Sequence, residues 1–325
     1  MRQPETPPYP TTPRVVMIGN FDGFHRGHQS VAQAALDHAR TEGGEVWLLT
    51  FDPHPRVFFS ASQAPSHAAL SSRAVEARLA DALGLAGVYT LTFDRALSSQ
   101  TPQQFIADNI VARCQATCVV VGHDFRFGKA RAGDADTLRA HGGFRVVEVD
   151  AFADEGGQTV SSTRIRGLLS KGHLNEANAL LGHRYFIVGE VEHGEKRGRE
   201  LGYPTANISL DAGSALAHGI YATTIKVGDV VHPSVASYGR RPTFGDKPPL
   251  LEVHLFDFAG DLYGQQVEVA FHSFLRPELK FDGVEALITQ MDTDSVQARA
   301  ALASAQPLSP LDLALGLVHA TQHAA

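Results

Sequence analysis

The strongest constraint on the fold is a change of hydrophobic period near residue 182. Upstream of it, short apolar runs alternate with segments of helical period: "VVMIG" from Val15, then "HQSVAQAALDHARTEG", then "EVWLLTF". The scheme repeats in "AVEARLADALG" with "VYTLTF", and in "PQQFIADNIVARC" with "CVVVG". Buried strands joined by helices pair in parallel and are covered on both faces, so residues 15–182 are expected to form a doubly wound α/β domain. "STRIRGLLSKG" and "HLNEANALLG" close it as two short helices.

Downstream, strand follows strand: "YFIVGEVEHG", "GIYATTIKVG", "HPSVASYG", "LLEVHLFDF" and "QQVEVAFHSFL", with turn residues between them. Residues 183–304 therefore read as a small antiparallel β-barrel closed by one helix, "GVEALITQMDTDSVQARAAL". Residues 305–325 form a C-terminal extension in which Ser309 caps a short docking helix that starts at Pro310. The proline-rich residues 1–14 read as a disordered tail without the apolar core of a signal peptide.

Composition adds exclusions. With 28 basic and 35 acidic residues the formal charge is −7, which argues against broad binding to nucleic acid or an anionic membrane. No run of 18 apolar residues suggests a membrane span. Cys114 and Cys118, in "CQATC", read as two reduced, half-buried thiols of a cytoplasmic protein. The expected partners are small molecules, and no pattern specifies a homo-oligomer.

The chemistry centres on "VVMIGNFDGFHRGHQSV", where His25 and His28 flank Gly27 at a strand-to-helix turn. Zinc hydrolases space their histidines four apart on a helix around a glutamate, and that arrangement is missing, so no structural zinc is expected. The carboxyl end of a parallel strand facing a helix N-terminus is instead where phosphate binds. Two imidazoles there can donate hydrogen bonds as charge builds on a phosphoryl group. Two other motifs mislead. "GHDFRFGKA" has five residues between Gly122 and Gly128 and Ala130 where a Walker loop carries Ser or Thr; "NIS" at Asn207 matches a glycosylation acceptor in a chain with no secretion signal.

The strand, "GNFDG", H-x-G-H and helix together resemble the H-x-G-H nucleotidyltransferases. "VSSTRIRGLL" resembles that superfamily's later S-x-T-x-x-R motif. "LLTFDPHPRVFF" and "VVVGHDFRFGKARAGD" are similar to the adenylyltransferase module of prokaryotic bifunctional riboflavin kinase/FAD synthetases. "VGEVEHGEKRGRELGYPTANI" and "RRPTFGDKPPLLEVHLFDFAGDLYG" are similar to the riboflavin kinase module of the same family. The likeness runs from about Val15 to Leu302, in the family's domain order. It implies a Rossmann-like nucleotidyltransferase domain followed by a β-barrel kinase domain, with ATP phosphorylating riboflavin to FMN and then adenylylating FMN to FAD. ADP and pyrophosphate leave, and a divalent cation, Mg2+, serves both sites.

The resemblance also assigns residues. In the first domain His25 and His28 are catalytic, with Gly19, Asn20, Phe21, Asp22, Gly27, Asp124, Ser162, Thr163 and Arg166 around the nucleotide and its phosphates. Phe51, Pro53, Phe125 and Arg276 are implied to touch flavin, at least one of the pair Phe125 and Phe127 being core. In the second domain Gly194, Lys196 and Gly198 cradle phosphate with Arg197 and Arg199 nearby, and Thr205 and Asn207 hold magnesium. Spacing alone would leave Glu252 a solvated strand carboxylate; the resemblance makes it the base for the ribityl hydroxyl. Where many members read "VANIG", this chain reads "VASYG", so Ser237 and Tyr238 are expected to alter affinity without abolishing activity.

Two other readings compete: a nucleotidyltransferase for another acceptor beside a passive barrel, and a flavin sensor that has lost catalysis. "PTAN" with a downstream "EVHL" speaks against the first, and joint retention of His25, His28, Thr205, Asn207 and Glu252 against the second.

Overall fold

Five apolar runs become β1 (Arg14–Ile18), β2 (Glu45–Asp52), β3 (Gly87–Thr92), β4 (Cys118–Gly122) and β5 (Arg145–Val149). They pair in parallel in the order β3-β2-β1-β4-β5 in the computed structural model, which describes residues 12–60, 69–194, 198, 201–210, 214–239 and 249–318. Burial follows sheet position. Central β1 is buried along its whole length, whereas edge β3 alternates buried and half-buried residues. Helices α1 (Arg26–Glu42), α2 (Pro55–Ser60), α3 (Arg73–Ala82), α4 (Arg95–Ser99), α5 (Pro102–Phe105) and α6 (Ala135–His141) connect the strands. A π-helical stretch, Ile106–Arg113, continues α5.

Local chemistry sets the helix ends. Thr101 caps α5 in a capping box with Gln104, and Gly43 ends α1 in the left-handed region that suits glycine. On α1 the buried face is Val31, Ala32, Ala35 and Ala39, small side chains that let the helix lie close to the sheet. Arg14, counted with the tail in the sequence reading, is the first residue of β1. Its buried guanidinium donates to the Tyr89 hydroxyl at 3.0 Å and lies over the Trp47 ring. Cys114 and Cys118 are fully buried and not half-buried as expected, and burial pushes their thiols up to about 12 and about 11. Both stay protonated and unreactive.

The second unit holds α7 (Ser162–Leu169) and α8 (Leu174–Leu181), then β6 (Phe186–Glu192), β7 (Ala206–Ser209), β8 (Gly219–Val227), β9 (Val230–Gly239), β10 (Leu250–Leu255) and β11 (Gln266–Arg276). The strands close as an antiparallel barrel in the order β10-β7-β6-β11-β8-β9. Sequence reading missed β7, because four residues beside a proline carry too little period to read as a strand. Helix α9 (Val284–Ala303) buries Ala298 and Leu302 against Ala222, Val235 and Phe256 of the barrel. Helix α10 (Pro310–Leu315) docks as expected, capped by Ser309 with Leu311 and Leu315 buried; residues 319–325 lie outside the described residues.

The two units comprise the described residues of Met1–His67 with Glu76–Ser161, and of Ala68–Val75 with Ser162–Ala325. The barrel unit thus takes in Ser162 onward as well as residues 69–75, ahead of the change of period that marked residue 182. α8 buries Leu174, Ala177, Leu180 and Leu181, and polar contacts add to this. Asn178 of α8 donates to Phe271 O at 3.0 Å and accepts from Tyr185 N at 2.8 Å, and Ala217 N donates to Leu169 O at 3.0 Å.

Candidate active sites

In the first unit β2 and β4 flank β1 on opposite sides, so the winding reverses beside β1 at the strands' carboxyl ends. There the chain turns sharply: Phe21, Gly23 and Phe24 have φ of 46°, 80° and 41°. A left-handed backbone at two phenylalanines is uncommon, and it is held by Phe24 N donating to Phe21 O at 3.0 Å and by the stacked rings, 5.4 Å apart. Gly19 is required, since a Cβ there would stand 2.9 Å from the Phe21 ring.

The turn delivers His25 as the N-cap of α1. Its Nδ1 accepts from the His28 backbone N–H at 3.3 Å, so the ring proton must sit on Nε2. His28 stacks on His25 with centroids 3.7 Å apart, and burial first, then His25, pushes its pKa well below 6.5. His28 is therefore neutral at pH 7. Asp22 is buried with His25 while His28 is half-buried, and Gly27 lies against the His25 ring and Phe152. Asn20 Oδ1 and His28 Nδ1 are buried polar atoms without a hydrogen-bond partner in the protein. At a helix mouth that arrangement suits a polar ligand.

Asp124 is exposed in the turn after β4, beside half-buried Phe125. Phe127 is the core member of that aromatic pair, as anticipated, and stacks on Phe125 at 5.4 Å. Phe51 differs from expectation: it is buried in the core cluster between Phe93 and Phe105. Pro53 is exposed at a cis peptide bond with Asp52. The sequence reading passed over Phe58 and Phe59, which join Phe93 in an edge-to-face cluster with Phe59 69% exposed; "VFF" beside a proline turn was the available signal. Ser162, Thr163 and Arg166 lie in the second unit, on the first turns of α7.

The barrel carries a cavity of about 420 Å³. Strand register builds its polar wall: Glu252 on β10 stands opposite Asn207 on β7 and Ser237 on β9, so three adjacent strands place these side chains in one row. Alternation on β10 turns Leu251, Val253 and Leu255 into the core and leaves Glu252 and His254 on the cavity face. Tyr238 is buried, so only Ser237 of the divergent pair meets the cavity.

Two glycines shape the entrance to this row. A Cβ at Gly194 would stand 2.3 Å from Asn207 Nδ2, and one at Gly198 would stand 2.3 Å from Tyr203 O. Only glycine allows backbone so close to the Asn207 carboxamide and the Tyr203 carbonyl, which leaves a backbone cradle beside two hard oxygen donors. Lys196, Arg197 and Arg199 lie outside the described residues. Arg276 lines the far wall, its guanidinium gripped by Asp294 through hydrogen bonds of 2.8 and 2.6 Å, with Gln290 also donating to that carboxylate.

An imidazole-capped helix at the switch point of a parallel sheet, joined in one chain to a barrel whose cavity sets a carboxylate beside a carboxamide, defines a two-module transferase acting on phosphate groups. The FAD synthetase family model matches residues 9–164 and the riboflavin kinase model residues 181–302. Bifunctional riboflavin kinase/FMN adenylyltransferases from Listeria monocytogenes and Escherichia coli are 38% and 37% identical, the matches covering 88% of this chain and 92% and 91% of theirs. The corresponding Pseudomonas fluorescens protein is 39% identical over 88% of this chain and 92% of its own. A crystal structure described as a macrolide-efflux protein from Streptococcus pneumoniae is 33% identical with a TM-score of 0.78, covering 90% of this chain and 95% of that one. The chain belongs to the bifunctional riboflavin kinase/FMN adenylyltransferase family. It uses ATP twice, to phosphorylate riboflavin to FMN and to adenylylate FMN to FAD. Among the described residues no helix is long and apolar enough to cross a membrane.

Proposed function

We propose that the barrel cavity is the kinase site, with Glu252 as base and Thr205 and Asn207 as magnesium ligands, and that the capped turn of α1 is the adenylyl-transfer site. The observation that carries this reading is the register that sets Glu252 directly opposite Asn207 inside one cavity. A carboxylate next to two oxygen donors is the pairing a kinase needs to deprotonate an alcohol beside nucleotide phosphates. The cradle at Gly194 and Gly198 fits the phosphates, and magnesium held there would neutralise their charge.

In the first step Glu252 takes the proton of the terminal ribityl hydroxyl as its oxygen bonds to the γ phosphorus of ATP and the bond to ADP breaks. Arg276, its charge matched by Asp294, forms the flavin side of the cavity. Ser237 leaves a shorter polar contact beside Glu252 than an asparagine would, which favours a change in affinity over a loss of activity.

In the second step an FMN phosphate oxygen bonds to the α phosphorus of ATP and pyrophosphate leaves. The acceptor is already ionised at neutral pH, so the site supplies positioning and hydrogen bonds in place of a base. His25, with its proton on Nε2, and neutral His28 donate to the developing charge. Asn20, Asp22 and Gly27 shape the turn, while Ser162, Thr163 and Arg166 are assigned to the leaving phosphates from their motif. Phe125 and Pro53 are the flavin contacts retained from the sequence reading; Phe51 is assigned to the core. Residues 15–182 and 183–304 carry the two reactions, in the cytoplasm, with small molecules as partners and no role for nucleic acid or membrane.

The test is a time course with riboflavin, ATP and Mg2+, separating riboflavin, FMN and FAD by chromatography. FMN rising ahead of FAD is expected. FMN without FAD would overturn the α1 assignment, and no product at all would favour a sensor.

A further inference from the structure

We propose that His254 is a positioning residue of the kinase site, tying the strand that carries Glu252 to the loop that presents Thr205 ahead of β7, and thereby setting the site's affinity for nucleotide-bound magnesium. The inference rests on the reading of Thr205 and Asn207 as metal ligands. His254 lies on the cavity face of β10, two residues beyond Glu252, and its Nδ1 stands 2.9 Å from Pro204 O. A carbonyl oxygen only accepts, so His254 Nδ1 carries the proton and donates.

That bond controls the next residue. A trans peptide is planar, with C=O and the following N–H pointing opposite ways, so holding the Pro204 carbonyl holds the plane from which Thr205 departs. The same loop has a second brace. The Tyr203 ring packs 4.9 Å from the His254 ring, its hydroxyl donates to the Asp292 carboxylate on α9, and its backbone N–H donates to Gly198 O at 2.7 Å. Asp292 holds the loop from the helix side and His254 from the strand side. The His254 contact reaches the strand of the base, so it registers the loop before Thr205 against that strand through a side chain. β7 pairs with β10 from Ala206 to Ser209, so Thr205 lies one residue before the paired stretch and is not held by it.

Asparagine places its Nδ2 donor as many bonds from Cα as histidine places Nδ1, whereas phenylalanine keeps the ring and loses the donor. The full-length protein, with ADP and riboflavin held constant, is titrated with Mg2+ while flavin fluorescence reports binding without turnover. His254→Phe is expected to raise the Mg2+ midpoint about fivefold to tenfold, the worth of one hydrogen bond. His254→Asn should return it to within about twofold of the parent on the same scale. The KM for ATP in riboflavin phosphorylation should rise with the midpoint while FMN adenylylation is unchanged. Where the phenylalanine variant does not fold, His254→Ala takes its place against His254→Asn. An unmoved midpoint in the donor-less variant, alongside a raised one in Asn207→Ala, would overturn the positioning role alone. An unmoved midpoint in Asn207→Ala would overturn the metal assignment and the inference with it.

Discussion

His25 shows how much one hydrogen bond decides. By capping α1 through Nδ1 it commits its proton to Nε2, so the tautomer that can donate to a ligand is imposed by the fold. His28 is kept neutral by burial and by His25, and adenylylation should show no inflection from it near pH 6.5. His28→Ala should stop FAD formation while FMN accumulates, a loss of about a hundredfold or more for removing a transition-state donor, read from product time courses. Glu252→Gln should block riboflavin phosphorylation while supplied FMN is still adenylylated. Loss of both reactions in either folded variant would refute two separate sites. Gly194→Ala tests the cradle: its methyl must displace the Asn207 carboxamide, so the KM for ATP in the kinase reaction should rise roughly tenfold, with adenylylation unaffected.

Among elements, α10 has the most unusual attachment. Asp312 is fully buried and pairs with buried Arg184, whose backbone N–H it also accepts at 2.9 Å. Arg184 Nε donates to His272 Nδ1 at 2.8 Å, so His272 holds its proton on Nε2, 3.0 Å from the Thr224 hydroxyl, which donates onward to Leu317 O at 2.5 Å. This chain of bonds runs in one direction and straps the C-terminal segment to β8 and β11. Asp312→Ala would strand the Arg184 charge and should cost roughly 3–5 kcal/mol, measurable as a lowered urea midpoint.

Burial first, and Arg184 second, push His272 down to about 3. The folded state thus resists a proton that the unfolded chain takes up near 6.5. Stability from this residue is complete above pH 6.5 and is lost as pH falls from there toward 3. His272→Gln should flatten that decline in a pH series of thermal melts.

At the scale of the whole molecule, the relatives span both modules, and the two activities meet in FMN, product of one and substrate of the other. The two sites share no catalytic side chain in this reading, so variants should separate cleanly. Bulk FMN should compete with FMN made in place if the intermediate dissociates between steps; isotope dilution by added unlabelled FMN measures this directly.

The sequence by itself determined the two architectures and the position of the first site. Continuous apolar runs between helical segments leave no other way to bury both sheet faces, and a histidine pair after the first such run falls at a strand's carboxyl end. Alternation in "LLEVHL" was enough to put Glu252 and His254 on one face. Tertiary structure alone decided which residues meet. β7 became a strand because β6 and β10 were there to pair with it, which brought Asn207 opposite Glu252. Phe51 went to the core because Phe93 and Phe105, distant in sequence, close around it. The helices after Ser162 belong to the barrel unit, where the Asn178 carboxamide meets the backbone of Phe271 and Tyr185, contacts that no hydrophobic period carries.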